Sequence, residues 1–257
     1  MEGVTVMLDL DDLDALVEDD DASWFALLDV LLRSFAAPRV LAVDREQARA
    51  GLRQLQVPAN SSLGAIAWNC GGILLYDGWL RIFGGSPSAE VSLPSIGQVN
   101  AFPADVDWTW TPTEGLIVAN DVLGGVFFLN GLRPAAGRPG VPGEVIYFDP
   151  RSLDWTRMRL SHREWLTWSV SGELPHFYDG LLWPQWRRDV AALRSDQGIA
   201  VLPSLWNGTA PAAGTTRTVV PMADILTFQF DAARRRGRSL AGAFGRFSVG
   251  RVAGHTV

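Results

Sequence analysis

The chain has 257 residues, 47% hydrophobic and 19% charged, a composition that excludes a disordered chain and can bury a sizeable core. A formal charge of −6 gives no electrostatic reason to expect a nucleic-acid partner, and a single cysteine, Cys70, excludes an internal disulfide and a cysteine-rich zinc site. The opening residues carry acid where a secretory signal carries base, and no uncharged apolar run could cross a bilayer, so a cytoplasmic protein with no membrane partner is expected.

All 22 basic residues are arginine. Arginine recognises planar anions well, but codon bias and ordinary surface use account for it more simply.

In chain order, residues 1–21 form an acidic extension. Its aspartates resemble a calcium loop only faintly, because Leu13 occupies a ligand position and the central glycine is missing. Asp21 can cap a helix whose stripe is Trp24, Leu27, Leu28, Leu31, Leu32 and Phe35, with Pro38 just past its end. Residues 40–43 suit a short strand. Asp44, with Gln47 three residues on, opens a second helix that buries Ala48, Leu52 and Leu55.

Ser61 or Ser62 can cap a short helix over 63–69, which Gly71 and Gly72 end through the left-handed conformation that glycine tolerates. Residues 73–76 and 79–83 read as strands joined by Asp77-Gly78, the strongest hairpin dipeptide in the chain. Residues 84–103 read as a surface loop. Trp108 and Trp110 alternate with Asp107 and Thr109, as an edge strand would.

Strands are expected over 115–120, 124–130, 144–149 and 155–160, with a Pro/Gly-rich loop over 133–143. Ser161 to Glu164 is a capping box opening a helix that stops at Gly172. A further helix over 183–193, a short strand over 199–202 and a final helix over 222–236 follow. Residues 237–257 read as a loose tail. Helices, then strands, then helices give an α+β plan with one largely antiparallel sheet and a single domain over 1–257.

Chemistry is sparse. His162, His176 and His255 are the only imidazoles; His162 in a first turn is expected to be exposed. No His-Glu-x-x-His helix and no nucleophile elbow occurs, and no metal or cofactor is expected. Cys70 lies at a helix C-terminus, the wrong end to activate a thiol. Asp77 and Asp121 could belong to a carboxylate pair, though both are more simply turn formers. Residues 137–143 are glycine-rich, but prolines remove the backbone N–H groups that a phosphate would need.

Tryptophan is abundant, with eleven residues. Trp24, Trp165, Trp168 and Trp186 sit at apolar helical positions and are expected in the core. Trp79, Trp108, Trp110, Trp183 and Trp206 adjoin polar residues, proline or glycine, where an aromatic can stay half exposed. Half-exposed tryptophan beside arginine is the composition of a protein-binding hot spot.

Four blocks carry a resemblance: LGAIAWNCGGILLYDGWLRIFGG at 63–85, ANDVLGGVFFLNG at 119–131, GEVIYFDPRSLDWTRM at 143–158 and WLTWSVSGELPHFYDGLLWPQW at 165–186. In order they closely resemble the bacterial domain-of-unknown-function family 2625, from about Trp24 to Phe230. The order Val57-Pro58, short helix, Asn69 to Gly72, strands, Ala119-Asn120-Asp121, Gly124-Gly125 and a capped helix also resembles the SUKH superfamily, which includes bacterial toxin-immunity proteins. The resemblance implies an α+β sheet flanked by helices and a role in binding other proteins without catalysis. It lends no active-site residues.

The expectation is therefore a non-catalytic protein-binding domain of the toxin-immunity kind, its partner another protein such as a toxin domain. Trp79, Arg81, Trp108, Trp110 and Asp121 are expected near its binding surface. The alternatives are a carboxylate-based hydrolase using Asp77 or Asp121, and a small-ligand binder with a tryptophan-lined pocket.

Overall fold

The computed structural model describes residues 22–88, 92–107, 109–208 and 214–238. The acidic extension, Trp108 and nearly all of the tail lie outside them.

Seven strands form one sheet in which spatial order equals chain order, and every neighbouring pair is antiparallel. They are β1 (Arg39–Leu41), β2 (Gly72–Leu75), β3 (Leu80–Phe83), β4 (Gly115–Asp121), β5 (Val126–Asn130), β6 (Glu144–Asp149) and β7 (Asp154–Ser161). A separate antiparallel hairpin pairs β8 (Gln197–Leu202) with β9 (Thr216–Pro221). The helices are α1 (Ala22–Leu32), α2 (Arg45–Leu55), α3 (Ser62–Asn69), α4 (Ile96–Val99), α5 (His162–Val170), α6 (Leu174–Phe177), α7 (Trp186–Ala191) and α8 (Met222–Arg235). This is the α+β architecture expected, with an antiparallel sheet and helices at both ends of the chain.

Strands β2 and β3 are buried at every position, and β4 at all but its first. That is why they read as apolar runs rather than alternating ones: both faces are covered. Phe127 and Tyr147 stand opposite each other on one face, where Phe127 meets Trp165 and Trp168 of α5 and Phe177 of α6. Phe148 points to the other face and meets Phe230 of α8. Edge strand β7 is half exposed and carries Arg157 and Arg159, charges that discourage pairing with another chain. Arg157 grips Glu144 of β6 at 2.6 Å.

Local signals placed most elements. Asp44 caps α2 by accepting from the backbone N–H groups of Glu46 and Gln47, Ser61 caps α3, and Ser161 with Glu164 forms the capping box of α5. The Asp77-Gly78 turn joins β2 to β3 through successive positive φ at Tyr76, Asp77 and Gly78.

Several expectations fail for identifiable reasons. The glycines after α3 are not a left-handed cap: Cys70 closes the helix in extended conformation. A Cβ at Gly71 would lie 2.5 Å from the Ala42 carbonyl oxygen, so close backbone approach demands the glycine. The 84–103 loop contains α4, opened by a Ser95/Gln98 capping box. Trp110 is in no strand. Leu32 and Phe35, placed on the buried stripe of α1, are 84% and 90% exposed; Trp24 and Leu31 are the buried members. Strand β9 was not anticipated, and the 183–193 helix shrinks to α7.

Candidate functional site

Register separates the residues expected at the binding surface. Leu80 pairs with Asp121 and Arg81 with Asn120, so Arg81 and Asp121 lie on opposite faces of the sheet. Neither reaches the surface. Asp121 is fully buried; its Oδ1 accepts from the N–H groups of Leu123 and Gly125, both at 2.9 Å, and its Oδ2 accepts from the hydroxyls of Tyr147 at 2.8 Å and Tyr178 at 3.1 Å. Burial raises its carboxyl above the usual range, against the pull of those four donors. Arg81, 2% exposed, donates from Nε to the Gly78 carbonyl at 3.1 Å and from Nη1 to the carbonyls of Ser195 and Gln197, stapling β3 to the entry of β8.

Trp79, 1% exposed, is enclosed by Tyr178, Trp183 and Trp186, with ring centroids 5.2 to 5.7 Å away. These three rings lie about a hundred residues further along the chain, so the polar neighbours Asp77 and Gly78 gave the wrong environment. Trp110 is half buried against Phe102, centroids 4.7 Å apart, and Trp108 lies outside the described residues. Trp79, Arg81 and Asp121 are thus framework, and among the described residues they form no exposed patch with Trp110.

The hydrolase alternative meets the same geometry. Asp121 opens onto no solvent. Asp77 is held by Arg187 at 2.7 Å and lines a cavity of about 210 Å³. Among the described residues no second acid lines it.

A cavity of about 560 Å³ runs between α2 and the segment that contains α4. Small residues form much of its wall, among them Ala48, Gly51, Ala67, Gly85, Gly97 and Ala101. Among the described residues its polar groups are the amides of Gln47, Gln54 and Gln98 and the hydroxyls of Ser86 and Ser95, and no charged side chain lines it. Gln54 acts as a peptide mimic, accepting from Asp107 N–H at 2.8 Å and donating to Asp107 O at 2.9 Å. Asn100 does the same to Ile117 of β4, so both flanks of the far wall are pinned. A Cβ at Gly85 would lie 2.3 Å from the Ala67 carbonyl oxygen, which keeps the floor tight. Sequence reasoning missed this cleft, although the Ser95-x-x-Gln98 signature of α4 was present. Among the described residues tryptophan lines neither this cleft, nor the cavity beside Asp77, nor a further one beside Glu144 and Arg157.

One further pair was not anticipated. Ser62 Oγ lies 2.9 Å from His162 Nδ1, where the first turns of α3 and α5 meet. His162 is buried, not exposed, and burial pushes its imidazole down to about 4. It is therefore neutral at pH 7, and Nδ1 can accept the Ser62 hydroxyl. Neither residue lines the α2–α4 cleft or the cavities beside Asp77 and Glu144. Among the described residues no three His, Cys, Asp or Glu side chains gather as a metal site, and no helix is long and apolar enough to cross a membrane.

Comparison with known proteins follows the same framework. The family model described as "Protein of unknown function DUF2625" matches residues 13–225. The chain belongs to this family. It is 32% identical over 224 residues to the uncharacterized protein YbfG of Escherichia coli (strain K12), covering 85% of this chain and 95% of that protein. It is also 31% identical over 194 residues to an uncharacterized protein of Haemophilus influenzae, covering 75% of this chain and 82% of that protein. The matched span of this DUF2625 member includes the cleft, the Asp121 cluster and the Ser62–His162 pair.

Proposed function

We propose that this protein is a non-catalytic binding module that holds a segment of another protein in the cleft between α2 and α4. The chemistry of that cleft carries the reading. Amides and hydroxyls without charge are complementary to peptide N–H and C=O groups, and a floor of alanine and glycine lets a backbone approach closely. Exposed Phe25, Leu32 and Phe35 on and after α1 add apolar surface of the kind that partners cover. The finer form of the reading is immunity: the partner is a toxin domain, met in the cytoplasm and neutralised by occupation. The motif order, which resembles that of the SUKH superfamily, supports it.

The test is a cleft block. A Cβ at Gly51 meets nothing within 4 Å, so Gly51→Trp projects bulk into the cleft without disturbing α2. A partner identified by co-purification from the native host should bind the purified protein in calorimetry and lose at least tenfold in affinity to the variant, about 1.4 kcal/mol. A partner bound equally well by Gly51→Trp, or no protein partner at all, would overturn the reading. A recovered partner without toxicity to cells would remove the immunity form and leave the binding module.

A further inference from the structure

A lateral row crosses the sheet: Arg39 of β1 pairs with Leu74 of β2, and Leu74 with Arg81 of β3. Directly paired residues share a face, so the two arginines lie on one face, roughly 9 to 10 Å apart at ordinary strand spacing, with Leu74 between them. The cavity of about 210 Å³ opens over this row, and α7 with the turn after it closes the far side through Val190, Ala191, Leu193 and Ser195.

Arg81 is built into the wall. Its Nε and Nη1 are spent on three carbonyls, and Nη2 donates to no protein group among the described residues. Desolvation lowers the guanidinium to about 10, so it stays charged at neutral pH. The acids around it are committed elsewhere. Asp121 lies across the sheet with four donors on its oxygens, Asp196 is held by Arg194 at 2.8 Å, and Asp77 is held by Arg187. Arg39 is exposed and forms no ion pair among the described residues. The cavity therefore offers two cationic groups flanking Leu74, the apolar side chains of Val190 and Leu193 across from them, and at its edge the Asp77 carboxylate that Arg187 already pairs.

We infer that this cavity binds a small organic carboxylate, its oxygens on Arg81 and Arg39 and its apolar body against Leu74, Val190 and Leu193. Guanidinium matches a carboxylate in plane and charge. Phosphate, which needs donors on every side, would leave oxygens against apolar walls. The site shares no lining residue with the α2–α4 cleft, so it stands or falls independently of the docking reading.

The experiment titrates butyrate, butyramide and inorganic phosphate into the full-length protein and follows amide resonances of Leu74, Arg81 and Val190. Butyrate should shift them saturably, with a millimolar Kd; butyramide and phosphate should not saturate. Because Arg81 also holds β8, the variants avoid it. Arg39→Gln should weaken butyrate about tenfold, and Ala191→Leu, which fills the cavity from an exposed helical position, should abolish binding, both with unchanged thermal unfolding. The inference is overturned if butyrate fails to saturate, if butyramide or phosphate binds as well, or if folded Arg39→Gln binds butyrate like the parent.

Discussion

Ser62 and His162 are a hundred residues apart in the chain and 2.9 Å apart in space. Their hydrogen bond joins the first turn of α3 to the first turn of α5, two helices that pack against each other. It survives only while the imidazole is neutral, because a doubly protonated ring has no lone pair to accept the hydroxyl.

Stability should therefore depend on pH through His162. Its folded pKa is about 4, below the ordinary 6.5, so the unfolded chain takes up the proton first as pH falls. The contribution is complete above about pH 6.5, declines by about 1.4 kcal/mol per pH unit below it, and stops declining near pH 4. Urea unfolding between pH 7 and 4 should show this slope, and His162→Gln should remove it. An unchanged slope in the variant would refute the assignment.

Asp121→Ala should be among the most damaging single changes. It strands two phenol hydroxyls and two backbone N–H groups in the interior. At about 1–3 kcal/mol for each unsatisfied group, several kcal/mol are lost. Tyr178→Phe removes one donor and leaves the carboxylate three, so it should cost about 1–2 kcal/mol. Comparable urea midpoints for the two variants would show that the cluster does not work as described.

Gly51→Ala should raise stability. Gly51 lies inside α2, and an added methyl meets nothing within 4 Å. Replacing a helical glycine by alanine gains about 0.5–1 kcal/mol, mostly by restricting the unfolded chain. Calorimetry should show an increase of about 1–4 °C in Tm. A decrease would mean that the cleft wall is tighter there than its geometry indicates.

Cys70 should be inert in the native protein. Burial pushes its thiol up to about 12, and Sγ lies 3.4 Å from the Ile66 carbonyl oxygen. Ellman's reagent at pH 8 should titrate no thiol until urea is added, and then one per chain. Rapid labelling without denaturant would expose an opening motion at the end of α3.

The elements were legible where local chemistry fixes them. The Pro150-Arg151-Ser152 turn bounds β6, whose residues fall where expected, and the capping boxes located α5 and, had it been used, α4. Burial was less legible. Trp79 sits beside a turn, and its enclosure is decided by Tyr178, Trp183 and Trp186, which no local window contains. His162 looked exposed for the same reason: its cover comes from α3. Strand β9 is largely exposed and ends on Pro221, so it offers no apolar alternation to read. The cleft walls are alanine, glycine and neutral amides, which carry no chemical signature until the fold brings them together.

The sheet's strand order has a consequence for synthesis. Each strand's partner is the one made just before it, so the ladder can zip outward while the chain still emerges from the ribosome, without waiting for a distant segment. What must wait is the outer shell. Arg81 finds the carbonyls of Ser195 and Gln197 only when those residues exist, and Phe148 gains Phe230 only when α8 is finished. A nascent chain halted before residue 195 would hold a paired sheet with its Phe148 face still uncovered, the state most in need of a chaperone.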